Sequence, residues 1–267
     1  MIRRVFSSFA SFALLAFFAV LLTGCGNYGY KKDEYSKLAV LVPLGPGTDG
    51  KPIDSNQSIE LILISPQEGE VVTGSEVAVT FILKNYLLAE KGNHVHLILD
   101  NEPYIPWYDT SKPYVFKKVA PGPHVLRAFP SRPWHESWKY PESFSVVRFY
   151  VKEKTGVFAL DVSQPFVTYS RPKGEYAGEA AKRIILDFWL SNGQLSDGGF
   201  TVRYNLDGKT VILTKWEPIW WEGLAPGMHT IVLELLDKTG ALVANGWSRT
   251  ERTFVVKGEE ALPSPHH

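Results

Sequence analysis

The sequence predicts an all-β chain, two antiparallel β-sandwiches in tandem behind an exported N-terminus. Three observations carry this. Short runs rich in Val, Ile, Leu, Thr and Phe recur along the body, each bounded by Gly, Pro or Asn. Val119-Ala-Pro-Gly-Pro-His124 returns 105 residues later as Leu224-Ala-Pro-Gly-Met-His229, and Leu99-Asp100 returns 107 later as Leu206-Asp207. No stretch combines a helical period with caps. Residues 175–183 are the best candidate for a turn or two of helix, and Gly178 weakens them.

Residues 1–24 begin with Arg3 and Arg4, run apolar from Val5 to Leu22 apart from serines, and end Leu22-Thr23-Gly24 before Cys25. Positive, apolar and small segments in that order make a secretory signal peptide. The Leu-Thr-Gly-Cys ending looks like a bacterial lipobox, so Cys25 is expected to be lipidated and to begin the mature chain. A transmembrane anchor is the competing reading, with the apolar run at the lower limit for spanning. Residues 25–57 read as lipidated Cys, polar tether and irregular lead-in, since 26–37 are rich in Gly, Tyr and Lys and 43–57 in Pro and Gly. Strands are then expected over 59–64, 76–84, 94–100, 125–129 and 145–151, closing a first module at 58–153. A second module, 154–258, ends with a strand at 252–256, and 259–267 form a disordered tail. About seven strands per copy, with a Pro-Gly-x-His turn leading into the penultimate one, fits the immunoglobulin-like sandwich. One larger two-sheet domain is the alternative.

Composition limits function. The 28 basic and 28 acidic side chains cancel, and removal of Arg3 and Arg4 would leave a small negative excess. Bulk attraction to nucleic acid is therefore not expected. Cys25 is the only cysteine, so no intrachain disulfide can form; 8 Trp, 12 Tyr and 15 Phe must supply burial instead. The sequence has no Gly-rich phosphate loop with Lys-Ser/Thr, no Gly-x-Ser-x-Gly and no His-Glu-x-x-His.

Histidine is the main candidate chemistry. His94 and His96 lie two apart on an expected strand and so share a face, roughly 6.5–7 Å apart along it. His124 follows the Pro-Gly turn and His135 sits in the next loop. If the four converge, neutral imidazoles suit Cu, Zn or Ni. His229 repeats His124, however, in a copy with Thr201 and Arg203 at the places of His94 and His96. That favours a structural corner role for His124, and a buried hydrogen-bonded pair competes with metal for His94 and His96. The loop with Arg132, Trp134, Glu136 and Trp138 is a candidate binding loop, or else a self-packed cap. Ser137 beside His135 raises a hydrolase reading, with no evident oxyanion device. Trp216, Trp220 and Trp221 make either a stacking platform or core, and the basic turn Tyr169–Tyr176 either an anion cradle or a module junction.

His94-Val-His96-Leu-Ile-Leu-Asp100-Asn-Glu-Pro-Tyr104, Pro121-Gly-Pro-His124, Ser131-Arg-Pro-Trp-His135-Glu-Ser137, Tyr169-Ser-Arg-Pro-Lys-Gly and Leu213-Thr-Lys-Trp216 together resemble a family of bacterial lipoproteins with two β-sandwich modules. The resemblance spans most of residues 90–256. It implies export, lipidation and two modules, matches all four histidines, and brings no established activity.

The expectation is therefore a non-catalytic, lipid-anchored binding or scaffold protein of the cell envelope. It faces the periplasm, its partner another envelope protein or a glycan. Gly26, rather than Asp, after Cys25 favours the outer membrane. The alternative is a Cu- or Zn-binding protein. Cys25→Ser should abolish lipidation and leave uncleaved precursor or soluble protein. Membrane fractionation and intact-mass analysis check this, and an unmodified, uncleaved chain that stays in the membrane would indicate a transmembrane anchor.

Overall fold

Alternating apolar residues pair into two sandwiches of the same topology in the computed structural model, which describes residues 53–258. The signal segment, Cys25, most of the tether and the tail lie outside the described residues. The first module holds β1 (Glu60–Ser65), β2 (Val71–Val72), β3 (Val77–Lys84), β4 (His94–Leu99), β5 (Ile105–Trp107), β6 (Tyr114–Phe116), β7 (Gly122–Ser131) and β8 (Ser145–Val151). The second holds β9 (Phe166–Arg171), β10 (Gly174–Tyr176), β11 (Arg183–Ser191), β12 (Thr201–Leu206), β13 (Lys209–Leu213), β14 (Ile219–Glu222), β15 (Gly227–Leu236) and β16 (Arg249–Val256). Sheet orders are β1-β3-β6 and β2-β8-β7-β4-β5, then β9-β11-β14 and β10-β16-β15-β12-β13. Strand for strand, the second pair repeats the first, and the fold is two tandem immunoglobulin-like sandwiches.

Two details depart from the sequence expectation. Each copy has eight strands rather than seven. In each, a short strand after the first crosses to the opposite sheet and runs parallel to the last one, β2 with β8 and β10 with β16. A strand that changes sheets without reversing must lie parallel to its new neighbour, and two or three residues are too few to read from alternation. The helical candidate at 175–183 is one turn, α1 (Glu179–Lys182), between β10 and β11.

Inward residues form one core per module. Leu61, Val79, Phe81, Val95, Leu97, Leu126 and Phe149 fill the first, and Val167, Leu186, Phe188, Val202, Leu233 and Phe254 the second. Outer strands keep the expected alternation, as in β3 and β12. Four strands lose it. Nearly every residue of β4, β7, β9 and β11 is buried. Their second faces do not meet water, because they line a seam between the modules.

The repeated turn is a histidine corner. The His124 Nδ1 and Asp100 Oδ2 are 2.8 Å apart, and Nε2 lies 2.8 Å from the Ala120 carbonyl oxygen. The Val125 N–H donates to Asp100 Oδ1 at 3.0 Å, and the ring stacks on Phe149. His229 repeats every contact with Asp207, Ala225, the Thr230 N–H and Phe254. Asp100 and Asp207 both adopt left-handed φ values, 53° and 49°, which aspartate tolerates better than most residues. Gly122 and Gly227 take φ of 115° and 145° at the preceding turn, where a side chain would strain the backbone.

The Asp100 hydrogen bond raises the His124 pKa, opposed by burial and helped by the Ala120 carbonyl. A raised folded pKa gives stability that is fully present below the unfolded value near 6.5 and is lost as pH rises through the folded value. His124→Ala should therefore cost about 1.5–3 kcal/mol on the acid side. Urea unfolding of both proteins should show that difference shrinking as pH is raised toward 9; a difference that grows with pH would contradict the corner.

Candidate functional site: a buried histidine cluster in the seam between modules

Along β4, Val95 and Leu97 enter the first core, so His94, His96 and Ile98 take the opposite face. That face abuts β9 and β11 of the second module. His94 and His96 are fully buried. In the loop after β7, the His135 N–H donates to the Arg132 carbonyl at 2.8 Å, closing a tight turn with His135 at φ 67°. This turn carries the His135 ring over His94, with centroids 4.6 Å apart. The Nε2 atoms of His94 and His96 are 2.9 Å apart, and His135 Nδ1 lies 2.8 Å from His94 Nε2. The three ligand-capable nitrogens lie within 4.8 Å of one another.

Two of the three rings are held from behind, on the nitrogen turned away from the cluster. His94 Nδ1 lies 2.8 Å from the Gly92 carbonyl, which can only accept, so this nitrogen carries the proton and Nε2 presents a lone pair. His96 Nδ1 meets the Ser170 hydroxyl at 3.1 Å, from the other module, and the ring stacks on Tyr104 at 3.5 Å. The Tyr104 hydroxyl lies 3.1 Å from His135 Nδ1. A register shift in the β9–β11 pairing opposite Asp187 and Phe188 leaves Ser170 as the extra residue of a bulge. The Arg171 guanidinium then sits 5.3 Å over the Tyr104 ring and the Lys173 ammonium 3.7 Å over it.

Burial pushes the His94 imidazole down to about 4, opposed by the Gly92 carbonyl and reinforced by Arg171 and Lys173. His96 is pushed well below its ordinary value by burial, then by His94, His135 and the same two cations. His135 follows, through burial, Arg171, His94 and Lys173. All three rings are neutral at pH 7 and keep lone pairs. Burial and Arg171 also bring Lys173 down to about 8.

The structure corrects the four-histidine grouping. His124 lies at the opposite end of the β4–β7 pair, since His94 faces Ser131 in register and Leu99 faces Leu126. Both its ring nitrogens are engaged in the corner, and it is not part of the cluster. Of the two readings of the loop at 132–138, binding loop or self-packed cap, the structure has the second: the loop is folded on itself. Arg132 stacks over Trp138 at 3.7 Å, Trp134 Nε1 donates to Glu136 Oε2 at 2.8 Å, and Glu136 is fully buried. Trp138 in turn stacks on Tyr140. Ser137, the nucleophile of the hydrolase reading, is buried and donates to both carboxylate oxygens of Asp187. Trp216 donates to the Phe188 carbonyl and packs edge-on against Trp189, while Trp221 packs against Tyr204 in the second core.

Residues that pattern reading did not single out complete the seam. Fully buried Arg127 donates to Thr168 Oγ1 at 2.9 Å and to the Asp100 carbonyl, and its guanidinium lies 4.7 Å over Trp247. Lys139 donates to Asp187 Oδ1 at 2.8 Å and to the Phe188 carbonyl at 2.9 Å. Phe129, Phe144 and Trp189 stack between the modules. The signal was present as polar residues within otherwise apolar strands: Arg127 in β7, and Asp187 in β11.

No protein-family model matches the chain, and no curated protein matches it by sequence. Among solved structures, the fibronectin(III)-like modules of Clostridium thermocellum CbhA are similar at 16% identity, over 78% of this chain and 99% of that one, with a TM-score of 0.28. The central fibronectin-III array of RIM-binding protein is similar at 12% identity, over 82% and 73%, with a TM-score of 0.26. The fold assignment rests on the strand order itself.

Asp187→Ala would strip the partly buried Lys139 of its carboxylate and orphan the Ser137 hydroxyl. It should cost about 3 kcal/mol, as for removal of one partner of a buried pair. Asp187→Asn, which keeps an acceptor for Ser137, should cost less. Urea midpoints measure both; equal losses would mean that the retained acceptor contributes nothing beyond the charge, and no loss in Asp187→Asn would mean that the carboxylate charge contributes nothing.

Proposed function

We propose that the chain is a non-catalytic, lipid-tethered binding or scaffold protein of the bacterial cell envelope that holds two sandwich modules at a fixed angle. The observation that supports this is the seam. Stacked aromatics, the Ser137–Lys139–Asp187 group and the Arg127–Thr168 bond join modules that in most tandem arrays meet through modest interfaces. The connecting segment is packed as well. Leu160 is buried with Val125 and Phe166, and the Asn245 side chain holds Asp161 on both sides of its peptide. A rigid body carried at the end of a tether suits presentation of a surface to an envelope protein or a glycan. The hydrolase reading loses its nucleophile, whose hydroxyl is committed to Asp187. Membrane attachment follows from the sequence features at Cys25.

Two spin labels test the fixed angle. Placed by Ile82→Cys and Ile212→Cys on exposed strands of different modules, in the full chain carrying Cys25→Ser, they should report one narrow distance distribution. Adding Asp187→Ala and Trp189→Ala should broaden it. A broad distribution in the unmutated seam would remove the rigid-scaffold reading.

A further inference from the structure

We infer that His94, His96 and His135 form a binding site for a single copper(I) ion at the module seam, with Ser170 of the second module as its positioning residue. Three features of the geometry carry this. First, the nitrogens converge. His94 Nε2, His96 Nε2 and His135 Nδ1 lie within 4.8 Å of one another, two of the separations being 2.8 and 2.9 Å. Three imidazoles around one ion at 2.0–2.1 Å stand roughly 3.3–3.6 Å apart, so the two short gaps need open by only about 0.4–0.8 Å, with the third, at most 4.8 Å, adjusting toward the same spacing. His135, on a loop turn, is the ring free to give that distance.

Second, the backing matches what a metal-bound histidine requires. A ligating imidazole donates its other N–H to an oxygen, which fixes ring and tautomer. The Gly92 carbonyl does this for His94 and the Ser170 hydroxyl can do it for His96. The one lone pair of His94 Nε2 faces two other ring nitrogens, and the Tyr104 hydroxyl reaches His135 Nδ1 as well, so four polar atoms converge on one small space. To turn all three lone pairs to one ion, the His96 proton sits on Nδ1, facing Ser170, and the His135 proton on Nε2.

Third, the surroundings select the charge. Arg171 and Lys173 pack beside the cluster, over Tyr104, and the carboxylates near the seam are committed elsewhere, Asp187 to Ser137 and Lys139, Glu136 to Trp134. Two cations and three neutral ligands disfavour a divalent ion and favour a monovalent one. Among ions that imidazole binds well, copper has such a state. Half-buried Tyr108 lies over His94 at 5.1 Å, and His135 is only partly buried, which puts the route in on that side.

The test is competition with a Cu(I) chelator under anaerobic, reducing conditions. It uses the full chain carrying Cys25→Ser, to remove the thiol, and His266→Ala with His267→Ala, to remove the two histidines at the C-terminus. One equivalent of Cu(I) should bind. His96→Ala and His135→Gln should each weaken binding about 100-fold or more, and Ser170→Ala about 10-fold, in the range seen for loss of outer partners. Because His96→Ala removes buried volume, His135→Gln, in a loop, keeps the test valid if the first variant fails to fold. X-ray absorption should show a shell of nitrogen ligands and no sulfur. Less than one equivalent, or affinity unchanged in His135→Gln, would remove the site. Zn(II) bound more tightly than Cu(I) by the same histidines would overturn the choice of ion.

Discussion

Asp187 is a carboxylate with no exposure to water, set on an inward-turned face of β11 between two modules. A buried charge without partners is not tolerated, so what surrounds it is fixed by what it needs. Ser137 and Lys139 reach it from the first module, and both come from the segment that also carries His135. Holding that segment against β11 brings Lys139 to the Phe188 carbonyl and leaves His135 over His94. One electrostatic requirement thus ties the relative placement of the modules to the geometry of the histidine cluster.

The repeat makes the contrast internal to the chain. In the second module the positions of His94 and His96 are Thr201 and Arg203, on a strand whose alternation survives. Arg203 pairs with Glu234 at 2.7 Å, near solvent. The same strand of the same fold therefore carries an arginine, paired to the neighbouring strand, where its outer face meets water, and histidines and Ile98, beside Phe129 of β7, where it meets another module. The two histidine corners, by contrast, are unchanged between copies, because each closes its own sandwich and owes nothing to the seam.

This contrast also sets what could be read from sequence. Period-two patterns, the Pro-Gly-x-His repeat and the shared face of His94 and His96 were legible, since they depend on local backbone geometry. The structural role of His124 was legible through its repetition at His229. Which face of β4 is covered was not, because burial of a second face depends on a neighbour about 90 residues away. Polar residues inside apolar strands, Arg127 and Asp187 above all, were the available hint. The short crossing strands β2 and β10 lay below any pattern, and the inward folding of Arg132, Trp134, Glu136 and Trp138 follows from their mutual contacts rather than from composition.

Native-state hydrogen exchange reads the seam most directly. If buried partnering at Asp187, Arg127 and Thr168 joins the modules into one body, the amides of β9 and β11 should exchange only with global unfolding, at the free energy of the β3 and β15 amides, which lie in the two sandwich cores. Faster exchange of β9 and β11, through opening of the seam while both sandwich cores stay protected, would contradict that account.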